Sequence, residues 1–142
     1  MELTSAQVDF IRANRSAAMI TMGDDGYAKA VRVGIAVVDG QLWSSGTADR
    51  TRTARLRTDP KCTLFVFGSG HQALTLETEV TMVEGSQAVA DSVRLFRTMQ
   101  NRPEGPLMWF GEELDEESFR RAMVDQKRII YNFDVHHAYG VE

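Results

Sequence analysis

Two aspartate-glycine turns divide the first third of the chain into three strand-like segments. The apolar run 18–22 ends at the D-D-G turn of residues 24–26, residues 27–38 alternate, and the D-G pair at 39–40 precedes the run 41–45. An Asp-Gly pair between apolar runs favours a tight hairpin, which joins neighbouring strands in antiparallel order. The segment therefore predicts three consecutive antiparallel strands, whereas parallel neighbours would need helical crossovers.

Three later segments also carry strand patterns, and they cover residues 62–67, 74–82 and 128–135. The clearest is the second, in which the apolar Leu76 and Val80 alternate with the polar Glu77 and Glu79. Strict alternation is typical of a strand with one face buried and one face in water.

Short helices are expected between these strands. Thr4 and Gln7 have the spacing of a capping box, which predicts a helix that begins near Ser5. Further helices are expected near residues 50–57, from an N-cap at Ser86 to Pro103, and from Asp115 onward.

This succession of elements predicts a mainly β fold, an antiparallel six- to seven-stranded barrel with a few helices. Short turns between antiparallel neighbours favour barrel closure over a doubly wound sheet. The length of 142 residues is typical of one compact domain, so a single domain over residues 1–142 is expected.

Composition narrows the possible partners and the cellular compartment. A formal net charge of −4 argues against a surface that follows a nucleic-acid backbone. The lone Cys62 lies in an apolar stretch and is expected to be a small buried residue, not half of a disulfide. The acidic N-terminus lacks the pattern of a signal peptide and no segment is long enough to span a bilayer, so a cytoplasmic protein without membrane contact is expected.

The segment from Ser44 to Arg57 carries the most chemical information. It contains four arginines against one aspartate, interleaved with serine and threonine hydroxyls. Guanidinium and hydroxyl donors at the start of a helix are what a phosphate group requires. The alternative is a solvated basic helix face, and helical spacing only indicates that Arg52 and Arg55 share a side.

The second strand presents one face of unusually small side chains. Val31, Val33, Ile35 and Val37 alternate with Ala28, Ala30, Arg32, Gly34 and Ala36. A row of alanine and glycine allows close approach of a flat ring or another backbone, and an arginine among them needs an anionic partner. The segment indicates either a ligand contact or a dimer contact, and both hold if the ligand lies at a subunit interface.

Other candidate groups carry weaker signals. His136 and His137 are adjacent and are expected on opposite faces of a strand, and His71 is isolated, so no metal site is predicted. Trp109 and Phe110 are expected in a loop, packed against the core or a partner in preference to covering a bound ring. No P-loop, nucleophile elbow or dinucleotide fingerprint is present.

The order of these motifs resembles a known family. The stretches D-D-G, V-D-G-Q-L-W, S-S-G-T-A-D-R-T-R-T-A-R-L-R-T-D-P and C-T-L-F-V-F are similar to the pyridoxamine-phosphate-oxidase-like split barrels, which include the group that uses coenzyme F420. The resemblance covers residues 5–84 well and the remainder in outline. It implies an FMN-binding type of split barrel.

The resemblance also implies a set of cofactor-binding residues. In that family a basic residue before an R-N-L-x-x-D-P segment binds the cofactor phosphate, which places Arg52 there and Thr51 and Arg50 at neighbouring phosphate contacts. The further implied residues are Ser44, Ser45 and Thr47 at the end of the third strand, Arg55 where an asparagine is usual, and Arg32, Val33 and Gly34 beside the isoalloxazine ring. Two other departures are Arg52 in place of the usual lysine and Thr78 in place of a common glycine.

The function implied is an oxidoreductase that uses F420 or FMN at a homodimer interface to transfer a hydride to or from a small organic substrate. The extra arginines favour F420, because its anionic tail is longer than that of FMN. No catalytic side chain is assigned. The alternatives are a flavin or F420 carrier without turnover and a haem-binding split barrel with His71, His136 or His137 as the iron ligand.

Overall fold

The computed structural model describes all 142 residues. It contains nine β-strands and four α-helices. The strands are β1 (Ser16–Met22), β2 (Ala28–Gly34), β3 (Ala36–Val38), β4 (Gln41–Thr47), β5 (Lys61–Phe67), β6 (Ala73–Val83), β7 (Leu107–Trp109), β8 (Glu112–Leu114) and β9 (Arg128–Tyr139). The helices are α1 (Ser5–Ala13), α2 (Thr51–Thr58), α3 (Gly85–Gln100) and α4 (Glu116–Asp125). Seven strands form one sheet, and β7 and β8 form a separate hairpin.

One stretch of chain connects the two edges of the main sheet. The strand order is β2-β1-β5-β6-β9-β4-β3, and β2 and β3 are separated only by Ile35. The first half of this stretch pairs with β1 and the second half with β4, and every pairing in the sheet is antiparallel. The sheet therefore curls into a half-barrel, which confirms the predicted mainly β, antiparallel split barrel.

Alternate residues of the strands fill the barrel interior. Val33, Ile35 and Val37 belong to a cluster of 18 buried residues, while Arg32 on the opposite face is exposed. Cys62 lies in the same cluster with 3% of its surface exposed, and burial raises the pKa of its thiol to about 12. The predicted faces of the second strand and the predicted role of Cys62 are confirmed.

The longest helix covers the outer face of the sheet at its β3 edge. Leu95 of α3 packs against Trp43 of β4 and Ile130 of β9, which point away from the barrel interior. A third cluster joins α3 and α4 to the hairpin through Val93, Phe119 and Leu107. None of the helices combines the length and the apolar character that crossing a membrane would require.

The predicted capping box is present at the start of α1. The Thr4 hydroxyl accepts a hydrogen bond from the Gln7 amide at 3.1 Å, and the Gln7 side chain accepts one from the Thr4 amide at 2.9 Å. Each bond satisfies an amide that the helix itself leaves without an acceptor.

Thr4→Ala is expected to lower the free energy of unfolding by about 1 kcal/mol, because it removes this cap. Urea denaturation measures the change. Thr4→Ser keeps the hydroxyl and is expected to unfold like the native chain. Equal stability of the alanine and serine variants would contradict the capping role.

Two local predictions near α3 are wrong. The N-cap is Glu84 and not Ser86, and the Glu84 carboxylate binds Arg57 at 2.5 Å instead of capping the helix. Trp109 is the last residue of β7 and does not lie in a loop, whereas Phe110 lies in the turn between β7 and β8. The hairpin was missed because its turn places Phe110 at φ 49°, a conformation that aromatic residues rarely adopt.

The two adjacent histidines lie on the same face of β9, contrary to prediction. The β6–β9 register shifts between Glu77 and Thr78, so a bulge adds one residue opposite this point. His136 lies 3.6 Å from Glu79 and His137 lies 3.1 Å from Glu77, on the outer face of the sheet. The bulge reverses the alternation on which the prediction depended.

Candidate functional site

The candidate site forms where β4 ends and α2 begins. The Thr47 carbonyl accepts hydrogen bonds from the Arg50 amide at 3.3 Å and from the Thr53 hydroxyl at 2.7 Å. Thr53 is fully buried, and its hydroxyl also meets the hydroxyl of Tyr131 from β9. These bonds hold the start of α2 against the end of β4.

Three arginines gather at this corner from two distant parts of the chain. Arg50 and Arg52 come from the start of α2, and Arg128 from the start of β9, where it is the cross-strand partner of Thr47. Burial lowers the pKa of Arg128, and the nearby charges of Arg50 and Arg52 lower it further. The cluster is therefore a site of like-charge repulsion, which a bound anion would relieve.

None of the three arginines forms an ion pair, whereas five other arginines of the chain do. Arg57, one turn further along α2, pairs with Glu84, and Arg97 pairs with Glu116. Asp49, which directly precedes Arg50 in the sequence, accepts a hydrogen bond from the Thr47 hydroxyl at 2.8 Å. That bond lowers the pKa of the exposed Asp49 carboxyl, with smaller contributions from the Lys127 and Arg50 charges.

Two buried polar atoms of the segment from Ser44 to Arg57 lack hydrogen-bond partners. They are Nε of Arg52 and Oγ of Ser45. The Arg52 guanidinium carbon lies 5.7 Å from the centre of the Tyr131 ring, so the aromatic face supports the side chain but accepts no strong hydrogen bond from it. Buried donors without acceptors are costly, and a bound anion would supply Nε of Arg52 with the acceptor that it lacks.

The first turn of α2 adds further donors. Its N-cap residue is Arg50, whose side chain makes no capping hydrogen bond. An arginine side chain has no acceptor, so it cannot cap the first-turn amides of Thr51 and Arg52. These amides and the positive end of the helix dipole favour an anion at the same corner as the three guanidinium groups.

A seam between β2 and β4 leads away from this corner. The β3–β4 ladder ends at the pair Ala36 and Trp43, and beyond it β2 pairs only with β1. Across the seam the Ser44 hydroxyl donates to the Gly34 carbonyl at 2.6 Å. Ser44 and Val33 face the barrel interior, whereas Ser45 lies on the opposite face of β4, with Trp43 and Thr47.

The remaining predicted site residues lie apart from the cluster. Arg55 donates through Nε to the Thr21 hydroxyl at 3.0 Å, on β1. Arg32 donates to the Ser16 hydroxyl at 3.2 Å and lines an open groove of about 560 Å³. The groove lies on the outer face of β2, β1 and β5, where its other walls include Ala18, Ala30 and Phe67.

Sequence reasoning missed Arg128. Its guanidinium carbon lies 4.9 Å from the centre of the Trp109 ring, and its Nε donates to the Gln126 side chain at 3.1 Å. No local motif marks this residue, because only the pairing of β4 with β9 brings it beside Thr47. A basic pair, Lys127-Arg128, at the entry of the last strand is the one signal that the sequence offers.

The sequence and the fold were compared with protein families and with solved structures. The family model for pyridoxamine 5'-phosphate oxidase matches residues 3–110. No curated protein matches the sequence.

Several solved structures share the fold. A conserved hypothetical protein from Mycobacterium tuberculosis superposes with a TM-score of 0.72 at 20% identity, over 97% of this chain and 87% of that one. An F420 reductase gives a TM-score of 0.71 at 12% identity, over 97% and 98%. An FAD-binding protein from Mesorhizobium loti gives 0.63 at 10% identity, over 96% and 92%.

Proposed function

The chain belongs to the pyridoxamine 5'-phosphate oxidase family, and from this premise we propose that it is an oxidoreductase with a flavin or deazaflavin cofactor. The cofactor is F420 or FMN, and the reaction transfers a hydride to or from a small organic substrate. One of the solved structures that shares the fold is named an F420 reductase and another an FAD-binding protein, which supports this class of cofactor.

The observation that carries the proposal is the unpaired arginine cluster. Arg50, Arg52 and Arg128 meet at a helix N-terminus with no carboxylate partner, and Nε of Arg52 is buried without an acceptor. Phosphate oxygens are the acceptors that fit such a set of fixed donors.

Each residue has a distinct part in this proposal. Arg52, Arg50 and the Thr51 amide hold the phosphate, and the Ser45 hydroxyl adds a donor. The Thr47 hydroxyl donates to Asp49 and accepts from Nε of Arg50 at 3.3 Å, so it positions the Arg50 guanidinium group. Ser44 supports the seam through its bond to Gly34, so the backbone of residues 32–34 can border a flat ring. When bound, the flavin or deazaflavin supplies the hydride chemistry, and the chain supplies binding and orientation.

We further propose a homodimer with the cofactor at the interface. The outer face of β2, β1 and β5 carries small residues at Ala18 and Ala30 and an exposed Phe67. A second copy of the chain on this face would cover the groove that Arg32 lines and would place the substrate between the two subunits.

The number of arginines favours F420 over FMN. A single phosphate is satisfied by two guanidinium groups and a helix N-terminus, and Arg128 provides a third charge at the same corner. A longer anionic tail would use the additional charge.

The test is to titrate the purified protein with F420 and, separately, with FMN, and to follow cofactor fluorescence. We expect saturable binding of both, tighter for F420, and turnover of the reduced cofactor with an added electron acceptor. Tight binding of FMN without a response to F420 would show that FMN is the preferred cofactor. Binding of neither cofactor would contradict the proposal.

A cofactor carrier without turnover is the second candidate. The arginine cluster and its hydroxyl neighbours contain no group that titrates near neutral pH and could donate a proton. The carrier would be favoured if the protein binds the cofactor saturably, while the bound cofactor is neither reduced by a nicotinamide donor nor oxidised by any electron acceptor.

A further inference from the structure

The open groove on the outer face of β2, β1 and β5, called the outer groove below, carries positive charge without a carboxylate. Its volume of about 560 Å³ lies within the range of small-molecule sites. Nine residues line it, among them Arg15 and Arg32, and none of the nine is an aspartate or a glutamate. Because the whole chain has a net charge of −4, this positive charge is a local feature. The outer groove is therefore suited to a small anion.

Arg32 reaches the outer groove from β2. The side chain is exposed, and its guanidinium group donates to the Ser16 hydroxyl at 3.2 Å. A hydroxyl group orients the guanidinium group but does not neutralise its charge. Five other arginines of the chain pair with carboxylates, and neither Arg32 nor Arg15 is among them. The charge of Arg32 is thus available to a ligand.

Arg15 lies between the ends of two helices. Its Nη1 donates to the Met99 carbonyl in the last turn of α3, and its Nε lies 3.5 Å from the Arg12 carbonyl in the last turn of α1. The carbonyl end of a helix attracts a cation, so these contacts position the guanidinium group. Neither carbonyl carries a formal charge, and the positive charge of Arg15 remains without a counter-ion.

The rest of the outer groove is largely apolar. The methyl groups of Ala18 and Ala30 line it, and Phe67 lies on another side with 55% of its surface exposed. Phe65 packs edge to face against Phe67 with ring centres 4.9 Å apart, which holds the Phe67 ring in place. Small side chains beside a fixed aromatic ring can accommodate a flat apolar group. The residues of the outer groove therefore suit a ligand with one anionic end and a planar apolar body.

The surroundings of Arg15 favour a carboxylate over a phosphate as the anionic end. The arginine cluster at α2 adjoins the amide end of a helix, which favours a phosphate. Arg15 instead adjoins the carbonyl ends of α1 and α3, whose partial negative charge opposes a doubly charged group. A carboxylate carries a single charge and matches the fork of a guanidinium group.

We propose that the outer groove is the substrate site and that the substrate is a small carboxylic acid with a planar apolar body. Arg15 and Arg32 bind the carboxylate, and the body lies on Ala18 and Ala30 beside Phe67. This proposal rests on the proposed function, since Arg32 also begins the segment 32–34 that would border the cofactor ring.

The test compares benzoate with benzamide, which has nearly the same shape but no charge. Calorimetric titration is carried out on the cofactor-free protein and again with FMN added. We expect the native protein to bind benzoate about tenfold more tightly than benzamide, because only benzoate forms charge-assisted hydrogen bonds with both arginines. Arg32→Gln and Arg15→Gln are each expected to reduce this preference to about twofold.

Arg12→Gln is the matched control. Arg12 carries the same charge three residues before Arg15, but its side chain does not line the outer groove, and its backbone carbonyl is kept in the variant. We expect its preference for benzoate to stay within about twofold of the native value. An equal loss in Arg12→Gln and Arg32→Gln would overturn the proposal, because it would assign the preference to total charge.

Three other results would also overturn the proposal. One is equal affinity for benzoate and benzamide, or binding of neither, both with and without FMN. Another is tighter binding of phenyl phosphate than of benzoate, which would exclude the carboxylate as the preferred group. The third is a change in oligomeric state on Arg32→Gln, measured by light scattering, which would make Arg32 a subunit contact.

Failure of the proposed function gives a different result. The protein would then bind benzoate in preference to benzamide but would bind neither F420 nor FMN in the fluorescence titration. That combination would refute the substrate role and leave an acid-binding site without a redox reaction. Binding of a cofactor without a preference for benzoate would refute the acid site alone.

Discussion

Replacing Arg52 by alanine is expected to weaken cofactor binding about 10- to 150-fold, which corresponds to about 1.5–3 kcal/mol. The variant removes the charge-assisted contact to phosphate that we propose for Arg52, together with the buried Nε that the fold itself leaves without an acceptor. Titration of the variant with F420 and FMN, followed by cofactor fluorescence, measures the loss.

Arg57→Ala is the matched control for Arg52→Ala. Arg57 lies on the same helix with the same charge, but it pairs with Glu84 at 2.5 Å on the exposed side. An exposed ion pair contributes little, so we expect cofactor affinity within about twofold of the native protein and little change in stability. Equal losses of affinity in both variants would mean that the segment acts only through its total charge.

Gly46→Ala is expected to lower the free energy of unfolding by about 2–3 kcal/mol. A Cβ at this position would lie 2.5 Å from Cε2 of Tyr131. Neither side can move easily, because Gly46 pairs with Ile129 in the sheet and the fully buried Tyr131 is held through its hydroxyl by Thr53. Chemical denaturation measures the difference.

The same substitution in a Tyr131→Leu background separates this clash from a general effect of alanine in β4. Leucine lacks the outer ring atoms, so Gly46→Ala should cost less than about 1 kcal/mol there, and the difference is the coupling energy of the pair. If Gly46→Ala lowers the free energy of unfolding equally in the two backgrounds, the loss does not come from a clash with the Tyr131 ring.

The elements that sequence reasoning located correctly depend on neighbouring residues. The Thr4–Gln7 capping box acts within one helical turn, and Asp39-Gly40 forms its turn with φ values of 49° and 78°. Helix α2 begins at Thr51, one residue after the start expected for a helix over 50–57. Such signals act locally, so the sequence carries them directly.

The roles of the arginines could not be read in this way. Arg52, Arg55 and Arg57 belong to the same short helix and have the same chemistry, yet they contact Tyr131, Thr21 and Glu84 respectively. Those partners come from β9, β1 and the residue before α3. Spacing within the helix predicts which side chains share a side, but not what each side meets.

The sequence by itself determined the mainly β antiparallel class, the approximate positions along the chain of the strands in the main sheet and the concentration of positive charge at the start of α2. Only the tertiary structure brought Arg128 beside Arg52, turned Ser44 toward the barrel interior and Ser45 away from it, and left Nε of Arg52 without an acceptor. The physical reason is the distance along the chain over which each kind of interaction acts. Turn and helix preferences act over a few residues, whereas the donors and acceptors at a site are set by pairing between strands that are far apart in the chain.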